Sequence, residues 1–373
     1  MILSDTTNIL IAGGGTSDVL LPGLAVADEL RDLVPRARII FAGSGSASEY
    51  RTVRDAGYEY LVAGATHDLR WSRELLQRLI GPSPERQILK QTRPAIVLSM
   101  GGEVGESMGR VASRMAVPLV VFEPFVELSQ TTRRLASSAD LVCLGFEQSR
   151  ALVSSHCPVR VTGIPVKRTN QTNNDDAAFQ QRTADNQSLR RLVILSDDED
   201  SRMLSAVLPR ALWELDQHLM DWRVVHRAKP QEVRTVRHLY AKFGIDAVAT
   251  AHIHKLPDLL ARADLVIAAT SLMEFVNLAA AARPTVVAAG DGSSSSWQSQ
   301  VARSLAEHGA CAVVDDVRDR SAWTRVLQPL LTDARGRQQL QLAMHSHFRR
   351  DAAWHVASMI RDMVASAERT RSA

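Results

Sequence analysis

The chain has 373 residues, 45% of them hydrophobic and 23% charged, with a formal net charge of +3. That length exceeds one ordinary core and implies two domains, while so mild a basic excess makes no case for a nucleic-acid partner. Three scattered cysteines (Cys143, Cys157, Cys311), with no CxxC pair, offer neither a disulfide framework nor a zinc site.

The first residues, Met1-Ile2-Leu3-Ser4-Asp5, lack the basic stretch and long apolar run of a secretory leader. No segment reaches the roughly 18 apolar residues of a membrane span. A cytoplasmic protein is therefore expected, touching a membrane only from its surface.

From the N-terminus, residues 9–12 read as a short apolar strand running into Gly13-Gly14-Gly15-Thr16, with a helix pattern starting at Gly23. Further strands are expected at 38–42, 60–63, 95–99, 119–122, 141–144 and 159–162, with amphipathic segments between them, such as 24–33 and 105–115. Strands alternating with helices of that length mean βαβ units and a mostly parallel sheet. Residues 167–188 are rich in Asn, Gln, Asp and Thr and form a linker or surface excursion. A second α/β series follows, with strands at 192–195, 222–226, 247–251, 265–268, 285–288 and 311–314, and an amphipathic helical tail from Ser321. The fold class is thus α/β, with two Rossmann-like parallel-sheet domains facing a cleft. Their expected bounds are 1–166, a linker at 167–190, 191–345, and a C-terminal helix and tail at 346–373. Ligands of such folds sit at the C-terminal ends of the strands.

A strand that runs into glycines and then a helix presents backbone amides to a phosphate or sugar. A dinucleotide fingerprint would need glycine where Asp18 stands, and an acidic residue where Ala42-Gly43-Ser44 ends the second strand. No Walker lysine follows the loop either.

The order of motifs resembles the MurG family of bacterial glycosyltransferases, of glycosyltransferase family 28. The resemblance runs from about residue 8 to about residue 360. It rests on Ile11-Ala12-Gly13-Gly14-Gly15-Thr16, Leu21-Pro22-Gly23-Leu24-Ala25-Val26-Ala27, Met100-Gly101-Gly102, Val117-Pro118, Glu123 and Gly163-Ile164-Pro165-Val166. Ala263-Asp264-Leu265-Val266, Leu278-Ala279-Ala280-Ala281 with Pro284, and Gln298 extend it through the second half. It implies a GT-B fold and transfer of N-acetylglucosamine from UDP-GlcNAc to the lipid-linked acceptor lipid I, at the cytoplasmic face of the inner membrane, by a peripheral protein. It also implies acceptor loops at Gly14, Gly15, Thr16, Gly101 and Gly102, and donor contacts from Ser196, Arg202, Ile253, Asn277 and Gln298.

Departures fall on the loops that would do the chemistry. The family's Gly-Gly-His after the first glycine motif is Ser17-Asp18-Val19 here, so valine stands in the place of a histidine. Glu103 replaces a tyrosine, and His-Glu-Gln-Asn becomes Phe122-Glu123-Pro124-Phe125. The donor loop Gly-Gly-Ser-Gln-Gly-Ala-Arg aligns with Ser196-Asp197-Asp198-Glu199-Asp200-Ser201-Arg202, and a glutamate for the donor ribose aligns with Asn277, three residues after Glu274. Up to four carboxylates would oppose a diphosphate, each pairing at about 4–6 Å costing on the order of 1–4 kcal/mol. No cofactor is called for, with Mg²⁺ bridging carboxylates and phosphates as an open alternative. The other reading of these acids is as caps of a helix N-terminus.

Asp18 and Glu123 remain as acid/base candidates; the stronger reading of Asp18 is as the N-cap of the helix that follows it. Residues 71–80 set Trp71, Leu75, Leu76, Leu79 and Ile80 on one face, with Arg70, Arg73 and Arg78 around it. Such a helix lies on an anionic bilayer or packs on its own core. His252 and His254 have no evident third partner for a metal. By the resemblance, Ile253 lies beside the uracil, and Ser293–Ser296 forms the lip of the donor site. The alternative to the transferase is a member that has lost catalysis and serves as a binding or scaffold protein, or one that uses a different donor.

Overall fold

The computed structural model describes residues 7–14, 17–63, 83–153, 157–166, 189–196, 202–253, 256–269, 278, 281, 283–289, 302–303, 305–347, 349 and 351–372. The chain divides into two compact units, Met1–Arg168 together with Arg349–Ala373, and Thr169–Phe348.

In the first unit the elements run β1 (Asn8–Ala12), α1 (Ser17–Leu33), β2 (Arg38–Gly43), α2 (Ala47–Asp55), β3 (Glu59–Val62), α3 (Pro84–Thr92), β4 (Ile96–Ser99), α4 (Gly102–Arg114), β5 (Leu119–Glu123), α5 (Gln130–Leu135), β6 (Leu141–Leu144) and β7 (Val159–Val161). The seven strands form one sheet in the order β3-β2-β1-β4-β5-β6-β7, with every pairing parallel. The central strands are buried along their whole length, which is why they read as unbroken apolar runs rather than alternating ones. Register pairs Leu10 with Ile40 on one side and with Val97 on the other, so apolar side chains stack across the sheet.

The second unit repeats the plan with β8 (Arg190–Ser196), α6 (Arg202–Trp213), β9 (Trp222–Ala228), α7 (Val233–Phe243), β10 (Ala247–Thr250), α8 (Leu256–Ala261), β11 (Leu265–Ala269), β12 (Thr285–Ala288), β13 (Ala312–Val314), α9 (Arg320–Thr332) and α10 (Ala334–His347). Its six strands are parallel in the order β10-β9-β8-β11-β12-β13. At the start of β8 and β9, the Arg190 and Arg337 guanidinium groups lie 5.7 and 5.2 Å from the Trp222 ring centre. Arg337 also donates to the Leu330 carbonyl at 2.6 Å, so its charge meets the carbonyl end of α9, where a helix dipole favours a cation.

Three boundaries differ from the sequence reading. The first helix starts at Ser17 rather than Gly23, and Pro22 lies inside it. Proline has no amide to give the Asp18 carbonyl but holds a helical φ, so the helix continues through it. The helix expected from Gly105 starts at Gly102, because the positive φ of Gly101 turns the chain out of β4 abruptly. The helical tail expected from Ser321 is three helices, α9, α10 and α11 (Ala352–Ser372).

That last helix returns to the first unit, where it packs along α1 and reaches β4. Arg349 donates to the Val161 carbonyl at the point of return. Val356, Ala357, Ile360 and Val364 carry the buried face. Replacing Ile360 with alanine should cost about 2–5 kcal/mol by leaving a cavity. Hydrogen exchange should then show lost protection in β1–β7 and unchanged protection in β8–β13.

Candidate functional site

In each sheet the strand order reverses at one place, between β1 and β4 and between β8 and β11. Neighbouring crossovers leave in opposite directions there and open a crevice at the strand C-termini. Chain order thus decides which loops form the candidate sites: Gly13-Gly14 and Met100–Gly102 in the first unit, and the segment after Ser196 in the second.

The two loops of the first unit touch. The Gly13 amide donates to the Ala42 carbonyl at 3.0 Å, and the Met100 amide to the Ala12 carbonyl at 2.8 Å. Gly102 has φ +71°, and a Cβ there would stand 2.7 Å from the Gly14 carbonyl oxygen, so the left-handed backbone and the close approach both require glycine. Gly101 is the N-cap of α4 and brings no side-chain cap, and a helix N-terminus of this kind suits an anion. Val19, in the place of the family's histidine, is buried with Cγ1 packed over Gly13.

Behind Gly14 lies a carboxylate that the sequence reading did not single out. Glu49 is buried, and both its carboxylate oxygens would be 2.9 Å from a Cβ on Gly14. It accepts from the Ser44 amide at 2.8 Å, the Ser44 hydroxyl at 2.7 Å and the Tyr60 hydroxyl at 2.6 Å. Burial, then the bond to Glu49, pushes the Tyr60 phenol above its ordinary value. The group fastens the ends of β2 and β3 under the first glycine loop.

Glu123 is fully buried at the end of β5. Its carboxylate accepts from the Phe125 amide at 3.1 Å and from the Ser129 amide and hydroxyl at 2.7 Å each. Ser129 Oγ in turn accepts the Thr132 amide and caps α5. Burial raises the Glu123 pKa, and hydrogen bonds from the Thr132 side chain, Ser129 and the Phe125 amide oppose the rise. With both oxygens accepting hydrogen bonds and no exposure, Glu123 ties β5 to α5. Its truncation to alanine should cost about 2–4 kcal/mol, because two amides and a hydroxyl would be left buried without their acceptor.

Ser196, expected at the donor, has its hydroxyl turned inward and fully buried. Its Oγ lies 2.6 Å from His226 Nε2 and 2.8 Å from Ser205 Oγ, and it donates to the Arg227 carbonyl at 3.2 Å. His226 Nδ1 is 2.9 Å from the Tyr240 hydroxyl. Neither His226 nor Tyr240 was picked out as functional; the one signal was a histidine at an inward position of a strand whose burial alternates. Arg202 opens α6 with its side chain exposed. Ile253 follows β10 in a turn where the Thr250 hydroxyl accepts the His252 amide at 3.2 Å and donates to the His252 carbonyl at 3.0 Å.

Gly15, Thr16, residues 71–80 and 197–200, His254, Glu274, Asn277, 293–296 and Gln298 lie outside the described residues, as does the side chain of Asp18. The backbone of Asp18 is described: it is the second residue of α1, inside the first turn rather than at the cap. Among the described residues, no group of three or more His, Cys, Asp or Glu is placed to hold a metal, and no helix is long and apolar enough to cross a membrane.

Burial lowers the His226 pKa from 6.5 to about 3. The unfolded chain therefore takes up a proton below about pH 6.5 that the folded chain refuses until about pH 3, so stability falls as pH drops through that window. Denaturant titrations from pH 7 to 4 should show this loss, and His226→Gln should flatten the slope.

Residues 199–356 match the model of the glycosyltransferase family 28 C-terminal domain. The UDP-N-acetylglucosamine--N-acetylmuramyl-(pentapeptide) pyrophosphoryl-undecaprenol N-acetylglucosamine transferase of Geobacter sulfurreducens is 25% identical over 364 residues, covering 96% of this chain and 98% of its own. The enzyme of the same name from Acidithiobacillus ferrooxidans is 29% identical over 368 residues, covering 94% and 96%. The crystal structure of Acinetobacter baumannii MurG superposes with a TM-score of 0.74 at 18% identity, over 95% of this chain and 99% of that one. With two parallel-sheet Rossmann-like units, the chain has the GT-B fold, its second unit matches the C-terminal domain of glycosyltransferase family 28, and along nearly its whole length it is similar to these transferases.

Proposed function

We propose that the protein transfers N-acetylglucosamine from UDP-GlcNAc to lipid I, working as a peripheral protein at the cytoplasmic face of the inner membrane. The observation that carries this reading is likeness over nearly the whole chain to transferases whose names state that donor and that acceptor. The first unit would take the acceptor at Gly14, Gly101 and Gly102, where glycine loops meet beside the open N-terminus of α4. The second would take the nucleotide sugar after β8, with Arg202 as the exposed cation nearest the loop and Ile253 beside the base.

In an inverting displacement, an acceptor hydroxyl attacks the anomeric carbon as the bond to UDP breaks, and a base removes the hydroxyl proton. Valine at 19 holds no proton, and the oxygens of Glu123 are committed to Ser129 and Phe125. Asp18, in the first turn of α1, is the remaining candidate for the base.

A second reading has its own observation: Asp197, Asp198, Glu199 and Asp200 stand where the family carries a glycine loop, so a diphosphate meets like charge unless Mg²⁺ screens it. On that reading the protein binds a ligand in envelope synthesis without turning it over, or uses a different donor. Transfer of labelled GlcNAc to a soluble lipid I analogue, with and without Mg²⁺, separates the two. Product is expected, with a loss of about 10²–10⁴-fold in Asp18→Ala if that carboxylate is the base. No product, while UDP-GlcNAc still binds, would leave the binding protein.

A further inference from the structure

We propose that Glu49 is a positioning residue for the acceptor, its buried carboxylate fixing where Gly14 stands over the ends of β2 and β3. This rests on the reading of Gly14, Gly101 and Gly102 as acceptor loops. Glu49 lies in the first turn of α2, where Ser46-x-x-Glu49 has the spacing of a capping box. The Ser46 half of the box is made, its hydroxyl accepting the Glu49 amide at 3.2 Å. The carboxylate itself reaches further back, to the Ser44 amide and hydroxyl, and across to the Tyr60 hydroxyl, against Gly14.

Gly14 is bounded at two places. At its α-carbon, a Cβ would stand 2.9 Å from both Glu49 carboxylate oxygens, and Glu49 Oε2 would also stand 2.6 Å from a Cβ on Gly43. At its carbonyl, the oxygen would stand 2.7 Å from a Cβ on Gly102. The room that glycine leaves at 14 and 43 is thus taken by one side chain. That side chain carries contact from the ends of β2 and β3, through Gly14, to the start of α4. The Gly13 amide ties the same loop to the Ala42 carbonyl at 3.0 Å.

Tyr60 holds the carboxylate in turn. Its hydroxyl accepts the Gly45 amide at 2.8 Å and donates to Glu49 at 2.6 Å. Burial, then the bond to Glu49, pushes the phenol pKa up, so it stays a donor. A loop fixed before its ligand arrives loses less freedom on binding, so the effect falls on acceptor affinity. Glu49 is buried behind the loop and acts through Gly14, which makes it a positioning residue.

Glu49→Gln keeps the side chain's size but puts an amide where amide and hydroxyl donors converge. Tyr60→Phe leaves the carboxylate and removes one of those donors. Val53→Ala, fully buried on the same helix, is the control for lost stability alone. Initial rates of GlcNAc transfer from UDP-GlcNAc to a soluble lipid I analogue give the KM of each substrate. Glu49→Gln should raise the acceptor KM about 3–10-fold and Tyr60→Phe about 2–3-fold, with the UDP-GlcNAc KM unchanged. Val53→Ala should leave both KM values unchanged. If Glu49→Gln does not fold, the acceptor KM of Tyr60→Phe decides the matter. A wild-type acceptor KM in both variants would overturn the inference and leave the acceptor reading standing. An acceptor KM raised as much in Val53→Ala, or a UDP-GlcNAc KM raised alongside it, would overturn the inference too. A wild type that transfers nothing to the analogue would overturn the acceptor reading, and this inference with it.

Discussion

Reversal of strand order beside β1 and beside β8 is the constraint on which the rest of the molecule depends. A parallel sheet needs a crossover after every strand, and where the crossovers change direction two strand ends are left without a connection covering them. In the first unit this brings Gly14 against Gly102, close enough that neither a side chain nor an ordinary backbone conformation fits at 102. In the second the chain leaves β8 at Ser196 and enters α6 at Arg202.

Three polar groups are buried near the strand ends, and burying such a group is costly unless its hydrogen bonds are made. Glu49 meets that demand with Ser44 and Tyr60, Glu123 with Phe125 and Ser129, and His226 with Ser196 and Tyr240. Half-made networks of this kind would destabilise the fold, so each is held as a unit. This accounts for a pattern that looks odd along the chain: of the four residues in the family's His-Glu-Gln-Asn motif, the one kept, Glu123, is the one that holds β5 to α5. Val19 lies in the core.

Much of the architecture was legible in the sequence. Strands buried on both faces announce themselves as apolar runs bounded by glycine and polar residues, and all thirteen segments read as strands are strands of these sheets. Helix ends were less legible: Pro22 looks like a stop although its φ suits a helix, and the turn at Gly101 depends on a positive φ that no side-chain pattern reports. The return of α11 to the first unit was not readable either, because an amphipathic face says that a helix packs and not on what. Among the candidate residues, sequence alone could not separate a carboxylate aimed at a substrate from one aimed at a serine amide. Glu123 and Ser196 were placed in the chemistry, and their side chains point into the interior. His226 and Tyr240 were passed over because they pair across 14 positions, with no local motif.

The central claim is that the reversal point of the second sheet is a nucleotide-sugar site. Hydrogen–deuterium exchange of the full chain, with and without UDP-GlcNAc, measures this most directly. The account predicts added protection at residues 196–205 and 250–253, with β12 and β13 unchanged. Protection absent from those segments, or confined to the loops after β1 and β4, would contradict it.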